Sequence, residues 1–179
     1  MLPDEPNLSV LKALPPVTSC NGYSWKAGQS KQVVFLTGDG HIHELSVTPG
    51  NPWIHLDVTL ETPGTPYARL LVNGYSWEAG QSKQVVFLTG DGHIHELYVI
   101  LGEPWRHADL TAMTGAPPTP GGTLGATQDM NGYSWEAGRS KQVVFAGNDG
   151  HIYELWVALG GEWHSADLTA ISGAPTWLS

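Results

Sequence analysis

The sequence is poor in cysteine, in basic residues and in long apolar runs. Cys20 is the only cysteine, so the chain can form no intrachain disulfide. Eight Lys and Arg residues stand against 17 Asp and Glu, which gives a net charge of −9. A surface of this sign repels phosphate backbones and anionic lipids, which argues against nucleic acid as a partner. No apolar run approaches the roughly 18 residues of a membrane-spanning helix, so we expect no membrane insertion.

The N-terminal segment, MLPDEPNLSVLKALPPV, also lacks the features of a secretory signal. It carries acidic residues where such signals carry basic ones, and Lys12 and prolines interrupt its apolar run. We interpret residues 1–20 as a mature N-terminal extension that could contribute a closing strand. A single free cysteine is compatible with the cytoplasm, although the sequence assigns no compartment.

What the chain does contain is a threefold repeat. The string NGYSWKAGQSKQVVFLTGDGHIHEL begins at Asn21 and returns at Asn73 with one change in 25 positions, Lys26 to Glu78. It returns again at Asn131 with five differences from the second copy. Linkers rich in Gly, Pro and Thr separate the copies, as expected of loops. After the extension, the repeats with their linkers occupy residues 21–72, 73–130 and 131–179.

Each repeat predicts strands and no helix. The segments GYSW, KQVVFLT, HIHELYV and WRHADLT are short and rich in β-branched and aromatic residues, and Gly-Asp-Gly between the middle two is a tight-turn signal. Four antiparallel strands in a repeat of about 40–50 residues are typical of a propeller blade. We therefore predict an all-β chain, a β-propeller with three four-stranded antiparallel blades. A β-sandwich and a β-solenoid are alternatives that account less well for the repeat.

Three blades do not close a ring, because propellers close with about four to eight. An open arc would leave two sheet faces bare. We therefore expect oligomerisation to complete the ring, most simply a homodimer with six blades. The alternative is that the chain is a piece of a longer array.

The strings QVVFLTGDGHIHELYV and GEPWRHADLT resemble the blades of the fucose-binding β-propeller lectins and their bacterial relatives. The resemblance covers all three repeats. It implies sugar sites between adjacent blades, where an Arg and a Glu hold the hydroxyls and an aromatic ring packs on the apolar face. It also implies that some rings are built from several chains. The corresponding residues are Glu44, Glu96 and Glu154; Trp53, Trp105 and Trp163; and, at the Arg position, Gln32, Gln84 and Gln142.

The repeated residue types suit sugar binding, which needs an aromatic platform and convergent polar groups. We add His41, His93 and His151 to the candidate ligand contacts. Structural alternatives exist for each set. The glutamates could bond to backbone or to the Lys of Ser-Lys-Gln, the histidines could be hydrogen bonded between blades, and Trp25, Trp77 and Trp135 could pack between blades. The repeated aspartates at 39, 91 and 149 are expected to form turns, and those at 57, 109 and 167 to cap a loop.

The paired histidines of His-Ile-His would share one face of a strand, which is compatible with Zn²⁺. His95 becomes Tyr153 in the third copy, and the sequence shows no third ligand nearby, so we assign no metal and no other cofactor.

The function predicted is a multivalent carbohydrate-binding lectin that is not an enzyme. The alternative is a structural or protein-interaction propeller. A propeller glycosidase is disfavoured, because hydrolysis needs one special pair of carboxylates and the repeats predict equivalent sites.

Overall fold

A computed structural model describes residues 17–119 and 130–176. It contains three separate sheets, each of four antiparallel strands that neighbour one another in chain order. The prediction of an all-β chain with three four-stranded blades is confirmed. No helix in these two ranges is long and apolar enough to cross a membrane.

Each blade contributes four strands. The first consists of β1 Val17–Trp25, β2 Ser30–Thr37, β3 Ile42–Val47 and β4 Ile54–Asp57. The second consists of β5 Leu70–Trp77, β6 Ser82–Leu88, β7 Ile94–Ile100 and β8 Arg106–Asp109. The third consists of β9 Met130–Trp135, β10 Ser140–Ala146, β11 Ile152–Ala158 and β12 His164–Asp167. Strand β1 begins inside the segment assigned to the N-terminal extension, whose residues 1–16 lie outside the described ranges.

The expectation of no helix was wrong in one respect: a one-turn helix follows each fourth strand. These helices are α1 Val58–Glu61, α2 Leu110–Thr114 and α3 Leu168–Ser172. The aspartate expected to cap a loop caps the helix instead, as when Asp109 accepts a hydrogen bond from the Ala112 N–H at 2.9 Å. A single turn is too short to show helical periodicity, so the sequence pattern did not reveal it.

The turn between the second and third strands follows the sequence prediction. The Asp39 carboxylate accepts hydrogen bonds from the Thr37 hydroxyl at 2.6 Å and from the His41 N–H at 3.3 Å. Gly40 adopts a φ of 86°, in the left-handed region that glycine enters without steric cost. The second blade forms the same turn, whereas in the third blade Asp149 accepts from the Tyr153 hydroxyl at 2.7 Å instead of from a threonine.

The blades pack face to face along their first strands, β1 against β5 and β5 against β9. One apolar core, which includes Val34, Ile42 and Phe87, lies between the first two blades, and a second, which includes Val86, Phe145 and Leu155, lies between the last two. The middle sheet packs on both faces, so all seven residues of β6 are buried, including its three polar ones.

The repeated Asn-Gly dipeptide joins adjacent blades. Asn21 accepts a hydrogen bond from the Gly74 N–H at 2.9 Å, and Asn73 accepts one from the Gly132 N–H at 2.9 Å. The ring of Tyr23 lies so close to Gly74 that an added Cβ would be 2.3 Å from a ring carbon. Each joint therefore uses the Asn and Tyr of one blade and the Gly of the next.

A glutamate connects the loops that follow the first strands. The Glu78 carboxylate accepts hydrogen bonds from the Lys26 and Ala27 N–H groups at 3.0 and 3.1 Å. Glu136 binds the N–H groups of Glu78 and Ala79 at the same two distances. The first blade has Lys26 at this position, and a lysine cannot act as the acceptor.

Candidate functional site

A buried ion pair lies at each joint between blades. Glu44, on β3, is 3% exposed, and the Lys83 Nζ from β6 of the next blade lies 2.5 Å from its Oε1. The Tyr23 hydroxyl donates to the other carboxylate oxygen at 3.3 Å. At the second joint Lys141 lies 2.8 and 2.7 Å from the two oxygens of Glu96. The Glu of one blade is thus paired with the Lys of the following blade.

Aromatic rings enclose each lysine. Lys83 Nζ lies 5.2 Å from the centre of the Trp25 ring and 5.1 Å from that of Trp105. Lys141 has equivalent contacts with Trp77 at 5.7 Å and Trp163 at 5.2 Å. An ammonium at these distances is attracted to the ring faces, and the attraction grows as water is removed.

The electrostatics of the joint follow from its burial. Burial lowers the pKa of Lys83, and the Glu44 carboxylate partly offsets this effect by stabilising the charged amine. The pKa of Tyr23 is raised well above its usual value, chiefly by burial and then by the adjacent carboxylate. The phenol therefore remains protonated and donates to Glu44.

A cleft of about 390 Å³ opens at the joint between the first two blades. Its lining combines Trp25, Glu44, Leu56 and Glu61 of the first blade with Lys83, Trp105 and residues 99–104 of the second, which are the end of β7 and the loop after it. Trp105 is half-buried, and Glu61 and Glu103 are exposed. The cleft therefore presents an aromatic surface beside a cation and several carboxylates, a combination that suits a polar ligand with an apolar face.

The structure brings the predicted Glu and Trp together at this cleft, with Glu44 from one blade and Trp105 from the next. Trp163 is the corresponding ring beside Lys141 and Glu96, whereas Trp53 belongs to the first blade and is 53% exposed. Trp25 and Trp77 are buried at the two joints, the position expected for blade-to-blade packing.

The predicted glutamines lie deeper in the protein. Gln32, Gln84 and Gln142 are almost fully buried, and each donates from Nε2 to the serine two residues earlier at 2.5–2.6 Å. Their Oε1 atoms have no hydrogen-bond partner among the described residues. Gln142 shares an open cleft with Glu154 on the third blade, whereas Gln84 has no exposed surface.

The predicted histidines are held within their own blades and do not line the 390 Å³ cleft. The Nδ1 atoms of His41, His93 and His151 lie 2.7–2.9 Å from a carboxylate oxygen of Asp57, Asp109 and Asp167, respectively. The structure therefore separates these histidines from the Glu and Trp with which the sequence analysis grouped them.

The sequence analysis did not include Lys83 and Lys141 among the candidate site residues. It considered the lysine of Ser-Lys-Gln only as a structural partner for the glutamate. The available signal was its presence in all three copies, one residue before the glutamine and hence on the opposite face of the strand.

Each cleft has one wall from each of two adjacent blades, and we call such a wall a half-cleft. At each end of the three-blade arc one half-cleft is present without its partner. On the third blade, Tyr133, Trp135, Gln142 and Glu154 line an open cleft of about 320 Å³. On the first blade, Lys31 and the loop 47–51 line an open groove of about 700 Å³. These residues correspond in the repeat to Lys83 and the loop 99–103, which form one wall of the inner cleft.

No family model and no curated protein matches this chain. Solved structures do resemble it in fold. The BP39L lectin from Burkholderia pseudomallei superposes with a TM-score of 0.59 at 17% identity, covering 84% of this chain and 41% of that one. AofleA from Arthrobotrys oligospora gives 0.60 at 14%, covering 83% and 40%. The chain has the fold of the β-propeller lectins.

The lectin from Aleuria aurantia gives the clearest measure of ring size. It is described as a six-bladed β-propeller with a novel mode of fucose recognition, and it superposes with a TM-score of 0.54 at 18% identity. The alignment covers 82% of this chain and 46% of the lectin, so the three blades span less than half of that ring. The resemblance found in the sequence is thus confirmed at the level of the fold.

Proposed function

We propose that this chain is a multivalent glycan-binding lectin whose sites are the clefts between adjacent blades. The observation that carries the proposal is the cleft at the first joint, where the half-buried Trp105 lies beside the Lys83–Glu44 pair. A sugar presents a C–H face that packs on an indole and hydroxyls that need both donors and acceptors. The cleft supplies the indole in Trp105, the donor in Lys83 and the acceptor in Glu44.

The roles of the two ionic residues follow from their contacts. The Lys83 ammonium has three donors, and the ion pair with Glu44 uses one of them. The Glu44 carboxylate fixes the amine between two rings and can accept from a sugar hydroxyl. We assign the same roles to Glu96, Lys141 and Trp163 at the second joint. The ligand contacts predicted for the glutamines and for His41, His93 and His151 stay predictions.

The lectin acts, in this proposal, as a six-bladed ring made from two copies of the chain. At both joints inside the chain a Glu is paired with the Lys of the following blade. Glu154 of the last blade has the Tyr133 hydroxyl at 3.0 Å but no lysine partner among the described residues, and Lys31 of the first blade is exposed. A second copy, placed head to tail, supplies the missing partner at each end.

Two further features favour the same contact. Tyr133 and Trp135 are 37% and 60% exposed, whereas their counterparts Tyr75 and Trp77 are each 7% exposed inside the arc. Gly22 has no atom nearer than 3.7 Å to an added Cβ, so it leaves space for an incoming Tyr133 ring. Closure in this way unites the two half-clefts at the ends into a third type of cleft and yields six clefts in the ring.

A glycan array followed by inhibition with free monosaccharide tests the lectin function. We expect saturable binding that the free sugar inhibits, and we expect the double variant Trp105→Ala/Trp163→Ala to lose most of it while staying folded. The matched control is Trp53→Ala. In the proposed dimer all three tryptophans occupy corresponding positions, so the control should retain the clefts at the two inner joints and part of the binding.

Other outcomes of this experiment would replace the proposal. Binding to proteins but to no glycan would indicate an interaction propeller, and turnover of an activated glycoside would indicate a glycosidase. Light scattering tests the assembly separately. A folded chain with the mass of one copy at micromolar concentration would refute the dimer without bearing on sugar binding at the inner joints.

A further inference from the structure

A cluster of three histidines and an aspartate lies on the second blade, outside the cleft. His93 precedes β7, His95 is on β7, and His107 and Asp109 are on β8. The antiparallel register places Asp109 opposite His95 and His107 opposite Leu97. Residues two apart on a strand share a face, so the fold brings together four potential metal ligands from two distant segments.

The ligand atoms of this cluster are close together. His93 Nδ1 lies 2.9 Å from Asp109 Oδ2, and His95 Nδ1 lies 2.9 Å from His107 Nε2. One ligand atom from each of His93, His95 and Asp109 lies within 4.8 Å of the other two. Ligand atoms about 2.0–2.2 Å from a tetrahedral Zn²⁺ lie roughly 3.3–3.6 Å apart, so the cluster needs to contract by no more than about 1.5 Å to hold the ion.

We propose that His93, His95, His107 and Asp109 bind one divalent ion of the zinc class. Imidazole nitrogens with one carboxylate oxygen are a common ligand set for such ions. The ion would replace the two hydrogen bonds within the cluster. Each imidazole that donates one of these bonds would transfer its proton, by exchange with water, to its other ring nitrogen, and so remain neutral. Coordination thus needs no redox partner and no covalent step.

The environment of the cluster suits a bound ion. His95 is 6% exposed and its ring stacks on the buried Phe87 at 5.4 Å, which holds one ligand rigidly. The side chains of His93 and Asp109 are 33% and 28% exposed, which leaves an entry path from solvent. The Ala112 N–H binds the other oxygen of Asp109 at 2.9 Å and orients the carboxylate.

The other two blades provide internal comparisons. The first blade has the same four residue types, with His55 Nε2 at 3.1 Å from His43 Nδ1, but His55 is exposed at the end of the arc. The third blade keeps His151 and Asp167 but has Tyr153 and Ser165 in place of the two paired histidines. It forms the same strands nevertheless, so this replacement is compatible with the fold.

Calorimetric titration of the untagged chain with Zn²⁺ tests the proposal. The reference is His43→Tyr/His55→Ser, which gives the first blade the residues of the third and leaves only the proposed site. We expect one Zn²⁺ per chain. The additional changes His95→Tyr and His107→Ser should weaken binding by at least about 100-fold, since loss of a ligand exceeds the roughly 10–100-fold effect of losing a residue that orients one. The control His164→Ser removes a histidine outside the cluster and should change nothing.

Cobalt provides a second readout that does not depend on the variants folding equally well. Co²⁺ in the reference chain should develop the intense visible absorption of a four- or five-coordinate site, and Zn²⁺ should abolish it. Less than one Zn²⁺ per reference chain at micromolar concentration would overturn the proposal. Equal affinity after His95→Tyr/His107→Ser would also overturn it, as would only the weak absorption of octahedral Co²⁺.

Discussion

Lys141 of the third blade is ion-paired with Glu96 of the second, and the two residues are 6% and 1% exposed. A buried carboxylate without its cation is strongly destabilising, because desolvation is no longer offset. The stability of the arc therefore depends on each blade supplying a lysine to its predecessor.

Lys141→Met should lower the free energy of unfolding by about 3–5 kcal/mol, because it leaves Glu96 charged and buried. Combining it with Glu96→Gln should restore part of the loss. The control is Arg106→Met, which breaks an exposed pair with Glu103 worth at most about 1 kcal/mol. Urea unfolding measures the free energy of unfolding of the two single variants and the double variant. Equal losses in Lys141→Met and Arg106→Met would contradict the structural role of the buried pair.

Charge reversal should reveal the joint between copies. Lys31→Glu and Glu154→Lys should each give a monomer by light scattering, because each places like charges at the proposed joint. Mixing the two variants should restore a dimer, since one joint keeps the original pair and the other has it reversed. A mixture that stays monomeric, or a dimer in either variant alone, would exclude this joint.

Two glycine substitutions should separate folding from assembly. Gly132→Ala places a Cβ 2.3 Å from a Tyr75 ring carbon within the chain, so it should destabilise the fold by several kcal/mol. In Gly22→Ala the added Cβ lies no closer than 3.7 Å to any other atom of the chain, so the monomer should retain its unfolding midpoint. The same Cβ would occupy the space of the incoming Tyr133 ring, so the variant should no longer dimerise. Thermal unfolding and light scattering on both variants distinguish the two effects.

Lys26→Glu should strengthen the dimer. Inside the arc, a glutamate at this position accepts two N–H groups from the loop of the preceding blade. The proposed dimer brings Lys26 to the N–H groups of Glu136 and Ala137. The lysine ammonium has no acceptor atom, so these N–H groups gain no hydrogen bond from it. The substitution should tighten dimerisation on the order of tenfold, as charged hydrogen bonds at an exposed site permit. The dimer dissociation constant, measured by sedimentation, checks this, and Lys26→Gln should give a smaller gain.

With a metal chelator present, stability should fall as the pH is lowered from 6.5 towards 4. Burial lowers the pKa of His95 from 6.5 to about 4, an effect that Asp109 and Asp91 oppose and that His107 and His93 reinforce. Between these pH values His95 binds a proton in the unfolded chain but not in the folded chain. Its contribution to the free energy of unfolding is therefore fully present above pH 6.5 and is lost as the pH falls towards 4. The slope should reach about 1.4 kcal/mol per pH unit. His95→Tyr should flatten the profile measured by urea unfolding at each pH.

Much of the fold could be predicted because each blade is specified locally. The β-branched and aromatic residues that indicate two neighbouring strands lie within a few residues of the Asp-Gly turn at Asp39 that connects them. The threefold repetition of this pattern indicated a propeller. The pairing of Glu44 with Lys83 could not be predicted in the same way, since the two residues are 39 positions apart and meet only when blades stack. The His95–His107 contact was missed for a related reason: it depends on the register of β7 against β8, which the His-Ile-His string alone does not specify.

The contact between blades is directional. Every joint uses Asn, Tyr and Glu from one sheet and Gly and Lys from the next, so the two faces of a blade differ and fit each other rather than themselves. A tandem duplication of one blade's coding sequence therefore produces a blade that can already dock on its parent, without any new interface having to arise. The near identity of the first two copies is what such growth by addition would leave behind, and Lys26, the one difference between their 25-residue strings, lies on the face of the first blade that no other described blade covers.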